Sequence, residues 1–223
     1  MDKKTDHYFT QKPESAENPH VFTANVRGNM LTFHTSSSMF SPNRIDTGTN
    51  ILIENAIVLK DTDVLDLGCG YGAVGLALAK VEPSIRLVMA DVNERAIKLC
   101  RKNADVNNIP ADVRQSDGFA HVPELFDTIL LNPPQTAGKK LCEKLISESF
   151  EHLKLNGTLQ LVARHQKGGR EFEKFMQELF GNVEEVAKES GFRVYVGRRK
   201  KTITALAHDH HAREPIVFRN LLS

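Results

Sequence analysis

The 223-residue sequence lacks the features that mark several broad classes of protein. Its 29 lysine and arginine residues balance 28 aspartate and glutamate residues, so no overall basic field indicates nucleic-acid binding, although a local patch remains compatible with this balance. The 3 cysteines, Cys69, Cys100 and Cys142, are odd in number and share no short metal-binding spacing, which argues against a disulfide framework. No apolar run approaches the roughly 18 residues that cross a membrane, and no apolar segment follows the first residues as in a secretory signal. We therefore expect a soluble cytoplasmic protein with reduced thiols and no membrane association.

Alternating segments of different hydrophobic period predict an α/β fold. The polar residues 1–20 predict an irregular arm, and the alternation of residues 21–35 around Arg27-Gly28-Asn29 predicts a β-hairpin. From Asp63 onward, short apolar segments alternate with segments of helical period, which is typical of a parallel sheet with helices on both faces. The predicted fold is Rossmann-like and doubly wound, with a seven-stranded, mostly parallel sheet whose last strand is antiparallel, preceded by the small N-terminal hairpin. We divide the chain into an arm and hairpin at 1–45, an α/β domain at 46–200 and a tail at 201–223.

The period of the apolar residues also predicts the individual elements. Helices are predicted at 49–60 with Thr47 or Thr49 as the N-cap, at 73–80, after Asn93 as the N-cap, at 138–153 and at 172–180 with Gly181 as the end. Strands are predicted at 64–67, 85–90, 111–115, 126–131, 158–163 after a turn at Asn156-Gly157, 183–187 and 192–197.

The segment Asn132-Pro133-Pro134-Gln135 ends one of the predicted strands. Proline cannot donate to a β ladder and forces the preceding residue into an extended conformation, so Asn132 lies at the carboxyl end of that strand. Open α/β sheets bind their ligands at this edge. The amide of Asn132 and the carbonyls of the prolines therefore form a site that is able to hold a planar amino group.

Three carboxylates follow three other predicted strands. Asp66 precedes the glycine turn Gly68-Cys69-Gly70-Tyr71-Gly72, Asp91 ends the next strand, and Asp117-Gly118 follows the third. Gly70, Gly72 and Gly75 match the dinucleotide-binding pattern G-x-G-x-x-G, so a nicotinamide dehydrogenase is one interpretation. A carboxylate beside a diphosphate costs on the order of 1 kcal/mol or more, however, whereas Asp66 suits a ligand with an ammonium and a sulfonium.

The three positions together fit one nucleoside that carries an amino-acid tail. Asp91 can accept hydrogen bonds from a ribose diol, Val92 can lie against an adenine, and Asp117 can accept from the adenine amino group. Taken singly, each acid is as compatible with a structural role in a turn or a helix cap as with ligand binding. Taken together, they predict S-adenosylmethionine as the cofactor.

Several weaker signals remain. The basic runs Arg198-Arg199-Lys200-Lys201 and Arg164 with Lys167-Gly168-Gly169-Arg170 could contact RNA phosphates, although such runs are more often solvated surface. His208, His210 and His211 have no partner ligands nearby in the sequence, so we expect no metal site. Cys69 occupies a turn that needs a small side chain, which does not favour a catalytic thiol.

The same residues resemble a known family. Asp66-Leu67-Gly68-Cys69-Gly70, Asp91, Asp117 and Asn132-Pro133-Pro134 resemble the class I S-adenosylmethionine-dependent methyltransferases, and the Asn-Pro-Pro element resembles those that methylate an exocyclic or amide nitrogen. The segment from Phe40 to Thr49 resembles the methyltransferase small-domain family, which includes ribosomal RNA guanine-N2 methyltransferases. His7-Tyr8-Phe9 with Pro13 resembles the start of stand-alone archaeal members. The resemblance covers roughly residues 7–200.

The resemblance implies a role for each matching position. Asp66, Gly68, Cys69 and Gly70 would hold the methionine end of the cofactor, Asp91 the ribose, Val92 and Asp117-Gly118 the adenine. Asn132 and the Pro133 carbonyl would be catalytic, Thr49 and the start of its helix would help to close the cofactor pocket, and Pro134, Gln135 and Phe40 would contact the substrate. Gln135 departs from the aromatic residue that the family usually carries there, and a base stacked on an aromatic gains about 1–3 kcal/mol. Either Phe40, Tyr8 or Phe9 supplies that contact, or the substrate is not a flipped base.

The implied function is S-adenosylmethionine-dependent N-methylation, with the exocyclic amine of guanine in ribosomal RNA as the target and RNA or a ribosomal subunit as the partner. The alternatives are a protein glutamine-N5 methyltransferase and a non-catalytic module that binds S-adenosylmethionine or RNA.

Overall fold

The computed structural model describes residues 18–36 and 43–200. The hypotheses on Tyr8, Phe9, Phe40, Lys201 and the histidines of the tail concern residues outside these ranges. The same holds for residues 1–17 of the expected arm.

One mixed sheet organises the α/β domain. Its strands are β3 Asp63–Leu67, β4 Arg86–Asp91, β5 Asp112–Gln115, β6 Phe126–Leu131, β7 Leu153–Arg164, β8 Val183–Glu189 and β9 Phe192–Arg198, after the hairpin strands β1 Pro19–Val26 and β2 Asn29–Ser36. The spatial order of this seven-stranded sheet is β5-β4-β3-β6-β7-β9-β8. Strands β3 to β7 pair in parallel, whereas β9 is antiparallel to both β7 and β8. The predicted mostly parallel sheet with an antiparallel last strand is confirmed.

Helices cover both faces of this sheet, as predicted. They are α1 Thr47–Asn55, α2 Ala73–Val81, α3 Glu94–Val106, α4 Lys139–Glu151 and α5 Gly169–Phe180. One buried apolar cluster joins α1, α2 and α3 to one face, and a second joins α4 and α5 to the other. Successive residues of β6 alternate between the clusters, because Ile129 and Leu131 belong to the second and Leu130 to the first. No helix of the described ranges is long and apolar enough to cross a membrane.

The N-terminal hairpin is bound to α3 by two asparagines one helical turn apart. Arg27 and Gly28 form its turn and both have positive φ, which suits the tight connections of hairpins. Asn103 accepts a hydrogen bond from the N–H of His34 at 2.7 Å and donates to its carbonyl at 3.0 Å. Asn107 makes the same pair of bonds with Thr32. The two amides therefore extend the hydrogen bonding of β2 beyond the hairpin.

The structure corrects both ends of α1. Asp46, not Thr47 or Thr49, is the N-cap, and its side chain accepts from the Thr49 N–H at 3.0 Å. The helix ends at Asn55 rather than at residue 60, because the buried amide of Gln160 binds both the N–H and the carbonyl of Ile57. These two bonds hold Ile57 in an extended segment beside β7.

The start of β7 was also predicted wrongly. The strand begins at Leu153, not at residue 158, and Asn156-Gly157 does not reverse the chain. Asn156 adopts a positive φ of 68°, while its N–H donates to the Arg199 carbonyl and the Arg199 N–H donates to the Gly157 carbonyl. Pairing with the segment after β9 therefore keeps this residue pair inside the strand.

Candidate active site

A cleft of about 870 Å³ opens at the carboxyl edge of the parallel strands. Each predicted site residue within the described ranges lines it: Thr49, Asp66, Gly68, Cys69, Gly70, Asp91, Val92, Asp117, Gly118, Asn132, Pro133, Pro134 and Gln135. Residues that the sequence did not single out as site residues also line it, among them Arg44, Asp46, Leu145 and Phe192. The volume is in the range of pockets that bind cofactors and small molecules.

Asp66 connects the end of β3 to the start of α2. Its Oδ2 accepts a hydrogen bond from the Gly75 N–H at 2.8 Å. A Cβ added to Gly75 would lie 3.1 Å from the same oxygen. The carboxylate is therefore a cap for a helix whose own N-cap, Gly72, has no side chain to donate or accept. Burial, with a contribution from nearby Asp91, raises the pKa of Asp66 to about 7. Asp66 also lines the cleft, and the bond to Gly75 occupies Oδ2 and not Oδ1.

Asp91 holds the glycine turn against the end of β4. Its Oδ2 accepts from the Gly70 N–H and its Oδ1 from the Asn93 N–H, both at 2.9 Å. Gly70 has a φ of 57°, which a residue with a side chain rarely adopts. Burial raises the pKa of the Asp91 carboxyl. The carboxylate lines the cleft, where the sequence predicts that it binds the ribose diol.

Cys69 is a buried part of the same turn. Its Sγ lies 3.8 Å from the Sγ of Cys100, and this contact together with burial raises the pKa of the Cys69 thiol well above its usual range. A thiolate is therefore disfavoured, in agreement with the expectation that Cys69 is not a nucleophile.

Asn132 lies at the end of β6, in the middle of the cleft. Its Nδ2 donates to the Oγ1 of Thr49 at 3.0 Å, which leaves the amide oxygen Oδ1 free for a substrate donor. The N–H of Thr49 is already bonded to Asp46, so the contribution of Thr49 to the cleft is its hydroxyl group. The Pro133 carbonyl accepts from the Gln135 N–H at 2.8 Å and retains its second lone pair.

The side chain of Gln135 binds protein backbone. Its Oε1 accepts from the Arg164 N–H at 2.9 Å, and its Nε2 donates to the Lys167 carbonyl at 2.7 Å. The segment after β6 is thereby joined to the three-residue 3-10 turn His165–Lys167 that follows β7.

Arg164 and Lys167 lie at the opposite end of the parallel strands from Arg198 and Arg199. Arg164 and Lys167 line the cleft. Arg198 ends the antiparallel strand β9 opposite Thr158, near the start of β7, and it donates to the Asn156 carbonyl at 2.8 Å. Arg199 donates to the Glu151 carbonyl at 2.9 Å. These last two arginines bind the protein's own backbone away from the cleft.

The strand ends separate acidic from basic side chains. Asp66, Asp91 and Asp117 lie at the carboxyl ends of β3, β4 and β5 on one side of β6, while Arg164 and Lys167 lie at the carboxyl end of β7 on the other. Asn132 stands between the two groups. A cofactor that carries cationic groups suits the acidic half, and an anionic substrate suits the basic half.

Comparison with known proteins agrees with this site. Residues 30–196 match the methyltransferase small domain. The chain is 36% identical over 201 residues to the uncharacterized protein YbxB of Bacillus subtilis, which covers 88% of this chain and 99% of that protein. It is also 36% identical over 165 residues to the ribosomal RNA small subunit methyltransferase C of Hamiltonella defensa, which covers 72% of this chain and 48% of that protein. The chain thus spans about half the length of the relatives that carry this methyltransferase name.

The fold has a solved counterpart. A 16S rRNA N2 methyltransferase from T. thermophilus, in complex with AdoMet and guanosine, superposes with a TM-score of 0.74 at 23% identity, over 84% of this chain and 52% of that one. Asp66, Asp91 and the glycine turn, which the sequence predicts to hold the methionine end and the ribose of this cofactor, lie together in the cleft. The chain belongs to the methyltransferase small domain family, and its cofactor is S-adenosylmethionine.

Proposed function

We propose that this protein methylates the exocyclic N2 amine of guanine in ribosomal RNA. The observation that carries the proposal is the orientation of Asn132, whose amide nitrogen is bound by Thr49 so that the amide oxygen is left for a substrate N–H. The Asn-Pro-Pro segment follows a strand at the ligand-binding edge, beside the acidic positions expected to hold the cofactor.

The chain's task is mainly alignment. Bound S-adenosylmethionine supplies an electrophilic methyl carbon. A guanine amine is a weak nucleophile because its lone pair is delocalised into the ring. Asn132 Oδ1 and the Pro133 carbonyl therefore act by accepting hydrogen bonds from the two N–H groups of the amine. These bonds favour a tetrahedral nitrogen with its lone pair directed at the methyl group. Holding the reacting atoms in line supplies most of the rate enhancement, and no strong base is needed beforehand.

The distribution of charge supports RNA over a protein glutamine as the substrate. Arg164 and Lys167 are both exposed at the cleft, on the side of Asn132 away from the acidic positions. Cations in such a position attract a phosphate backbone, whereas an uncharged glutamine side chain gains nothing from them. The names of the relatives support the same substrate class.

The test is to incubate the protein with radiolabelled S-adenosylmethionine and with separated RNA and protein fractions from cells that lack the gene. We expect label in ribosomal RNA, recovered as N2-methylguanosine after digestion to nucleosides, and labelling at least about a hundredfold slower with the Asn132→Ala variant. Label confined to the protein fraction would refute the RNA proposal and favour the glutamine alternative. Equal labelling by wild type and Asn132→Ala would remove Asn132 from the catalytic site.

A further inference from the structure

Gln135 is fully engaged in holding the turn after β7. Besides the bonds to the Arg164 N–H and the Lys167 carbonyl, its Nε2 lies 3.4 Å from the Arg164 carbonyl. The acceptor and the two donor hydrogens of the Gln135 amide thus have backbone partners. The residue that occupies the usual aromatic position therefore fixes the neighbouring turn and leaves base contact to another group.

The turn that Gln135 holds presents Arg164 against an aromatic ring. The guanidinium carbon of Arg164 lies 4.7 Å from the centroid of the Phe192 ring. That ring packs on Gly48 of α1, where a Cβ would come within 2.7 Å of Phe192 Cε1. One face of the guanidinium is therefore covered by Phe192, and the ring itself is supported by the helix that carries Thr49.

The other face of the Arg164 guanidinium is available. Arg164 is exposed, lines the cleft and has no carboxylate partner within residues 18–36 and 43–200. It is the last residue of β7, the parallel neighbour of β6, which Asn132 follows. A guanidinium is planar, weakly hydrated and able to stack on aromatic rings, and backing by a phenyl ring fixes its plane.

We propose that this outer face of the Arg164 guanidinium is the surface on which the target base stacks. The Arg164–Phe192 pair then provides the planar stacking surface for the base that Gln135 does not provide. The inference rests on the proposed function, because it requires a nucleobase substrate. It assigns the stacking contact with the base to Arg164 and a supporting role to Phe192 and Gln135.

A phosphate contact by Arg164 is the competing role, and guanosine distinguishes the two because it has a base and no phosphate. The experiment measures guanosine binding by saturation-transfer NMR to the protein loaded with S-adenosylhomocysteine. We expect Arg164→Lys to weaken guanosine binding about tenfold, since the charge remains but the planar surface is lost. Arg170→Lys is the matched control, because it makes the same substitution at an exposed arginine of the same basic run that does not line the cleft, and it should leave guanosine binding unchanged.

A second variant tests the supporting role. Gln135→Leu should weaken guanosine binding in the same direction while the affinity for S-adenosylhomocysteine is retained, because the turn loses its side-chain bonds. Guanosine binding that survives Arg164→Lys would overturn the stacking proposal. So would a variant that loses affinity for guanosine monophosphate but not for guanosine, because that result would indicate a phosphate contact. Failure of the wild type to bind guanosine would instead contradict the proposed function itself.

Discussion

The hydroxyl of Thr49 accepts a hydrogen bond from the amide nitrogen of Asn132 at 3.0 Å, although the residues are 83 positions apart. The bond explains the segment Asp46-Thr47-Gly48-Thr49 in physical terms. Asp46 caps α1, Gly48 leaves room for the ring of Phe192, and Thr49 orients the amide. One short segment thus supports both the proposed catalytic residue and the wall of the cleft opposite the cofactor half.

Replacing Thr49 by valine should lower kcat about tenfold, because a small misplacement of a group that aligns the substrate is costly. Valine has nearly the shape of threonine but cannot accept the bond from Asn132. Thr49→Ser retains the hydroxyl and should restore most of the activity. Steady-state kinetics with RNA and calorimetry with S-adenosylhomocysteine separate the effects. A Thr49→Val enzyme of normal kcat would show that Asn132 does not depend on this bond.

Replacing Asn132 by alanine should lower turnover at least about a hundredfold, as expected when an interaction is made mainly in the transition state. The affinity for S-adenosylmethionine should survive, because the residues proposed to hold the cofactor lie on the other strands. The measurements are the rate constant of single-turnover reactions and the Kd by calorimetry. A cofactor affinity that collapses together with turnover would contradict the assignment of Asn132 to the substrate.

The sequence predicted several residues at strand ends that line the cleft, but it missed Phe192. Asp66, Asp91 and Asn132 lie at the carboxyl ends of buried strands. Because the carboxyl ends of parallel strands meet at one edge of a sheet, the local pattern was sufficient to place these residues at the cleft. Phe192 lies in a strand that only the antiparallel pairing of β9 with β7 brings to the cleft. Its contact with Gly48 joins residues distant in sequence, and no local period reports such a contact.

The helix and strand limits that were wrong have the same origin. Propensity favoured continuing α1 beyond Asn55, but the buried amide of Gln160 bonds to the backbone of Ile57 and stops it. Asn156-Gly157 is a favoured turn pair, yet its pairing with Arg199 keeps it in β7. In both cases a partner distant in sequence overrides the local preference.

Replacing Asp91 by alanine should weaken the binding of S-adenosylmethionine by about 2–3 kcal/mol, the loss of charged hydrogen bonds to the ribose. Asp105→Ala is a suitable control because Asp105 is an exposed aspartate of α3 and does not line the cleft. Since Asp91 also binds Gly70 and Asn93, the melting temperature of each variant must accompany the calorimetric Kd. Unchanged affinity in a folded Asp91→Ala protein would remove this residue from the site.

Binding of S-adenosylmethionine should depend on pH through Asp66. The pKa of about 7 in the free protein lies above that of an exposed aspartate, because burial disfavours the charged form. Protonated Asp66 therefore stabilises the folded free protein. This contribution is fully present below the pKa that Asp66 has in the unfolded chain, and it is lost as the pH rises through about 7. A bound ammonium group favours the ionised form, so cofactor affinity should rise as the pH approaches about 7 from below.

Calorimetry near pH 6, in buffers of different ionisation enthalpy, counts the protons released on binding, and we expect close to one per cofactor at about that pH. The Asp66→Asn variant should release none. Equal proton release by the wild type and the variant would show that another group titrates.

Replacing Asn103 by alanine should lower the free energy of unfolding by about 2–4 kcal/mol, because several buried hydrogen bonds are lost at once. Asn103 is fully buried and bonds to both backbone groups of His34 and to the carbonyl of Tyr71 in the glycine turn at 2.9 Å. Urea denaturation measures the loss, and hydrogen exchange should rise within the hairpin at residues 19–36. Lys102→Ala, at an exposed position of the same helix, should change stability by less than about 0.5 kcal/mol. A similar small change for Asn103→Ala would mean that water replaces the amide and that the hairpin does not depend on it.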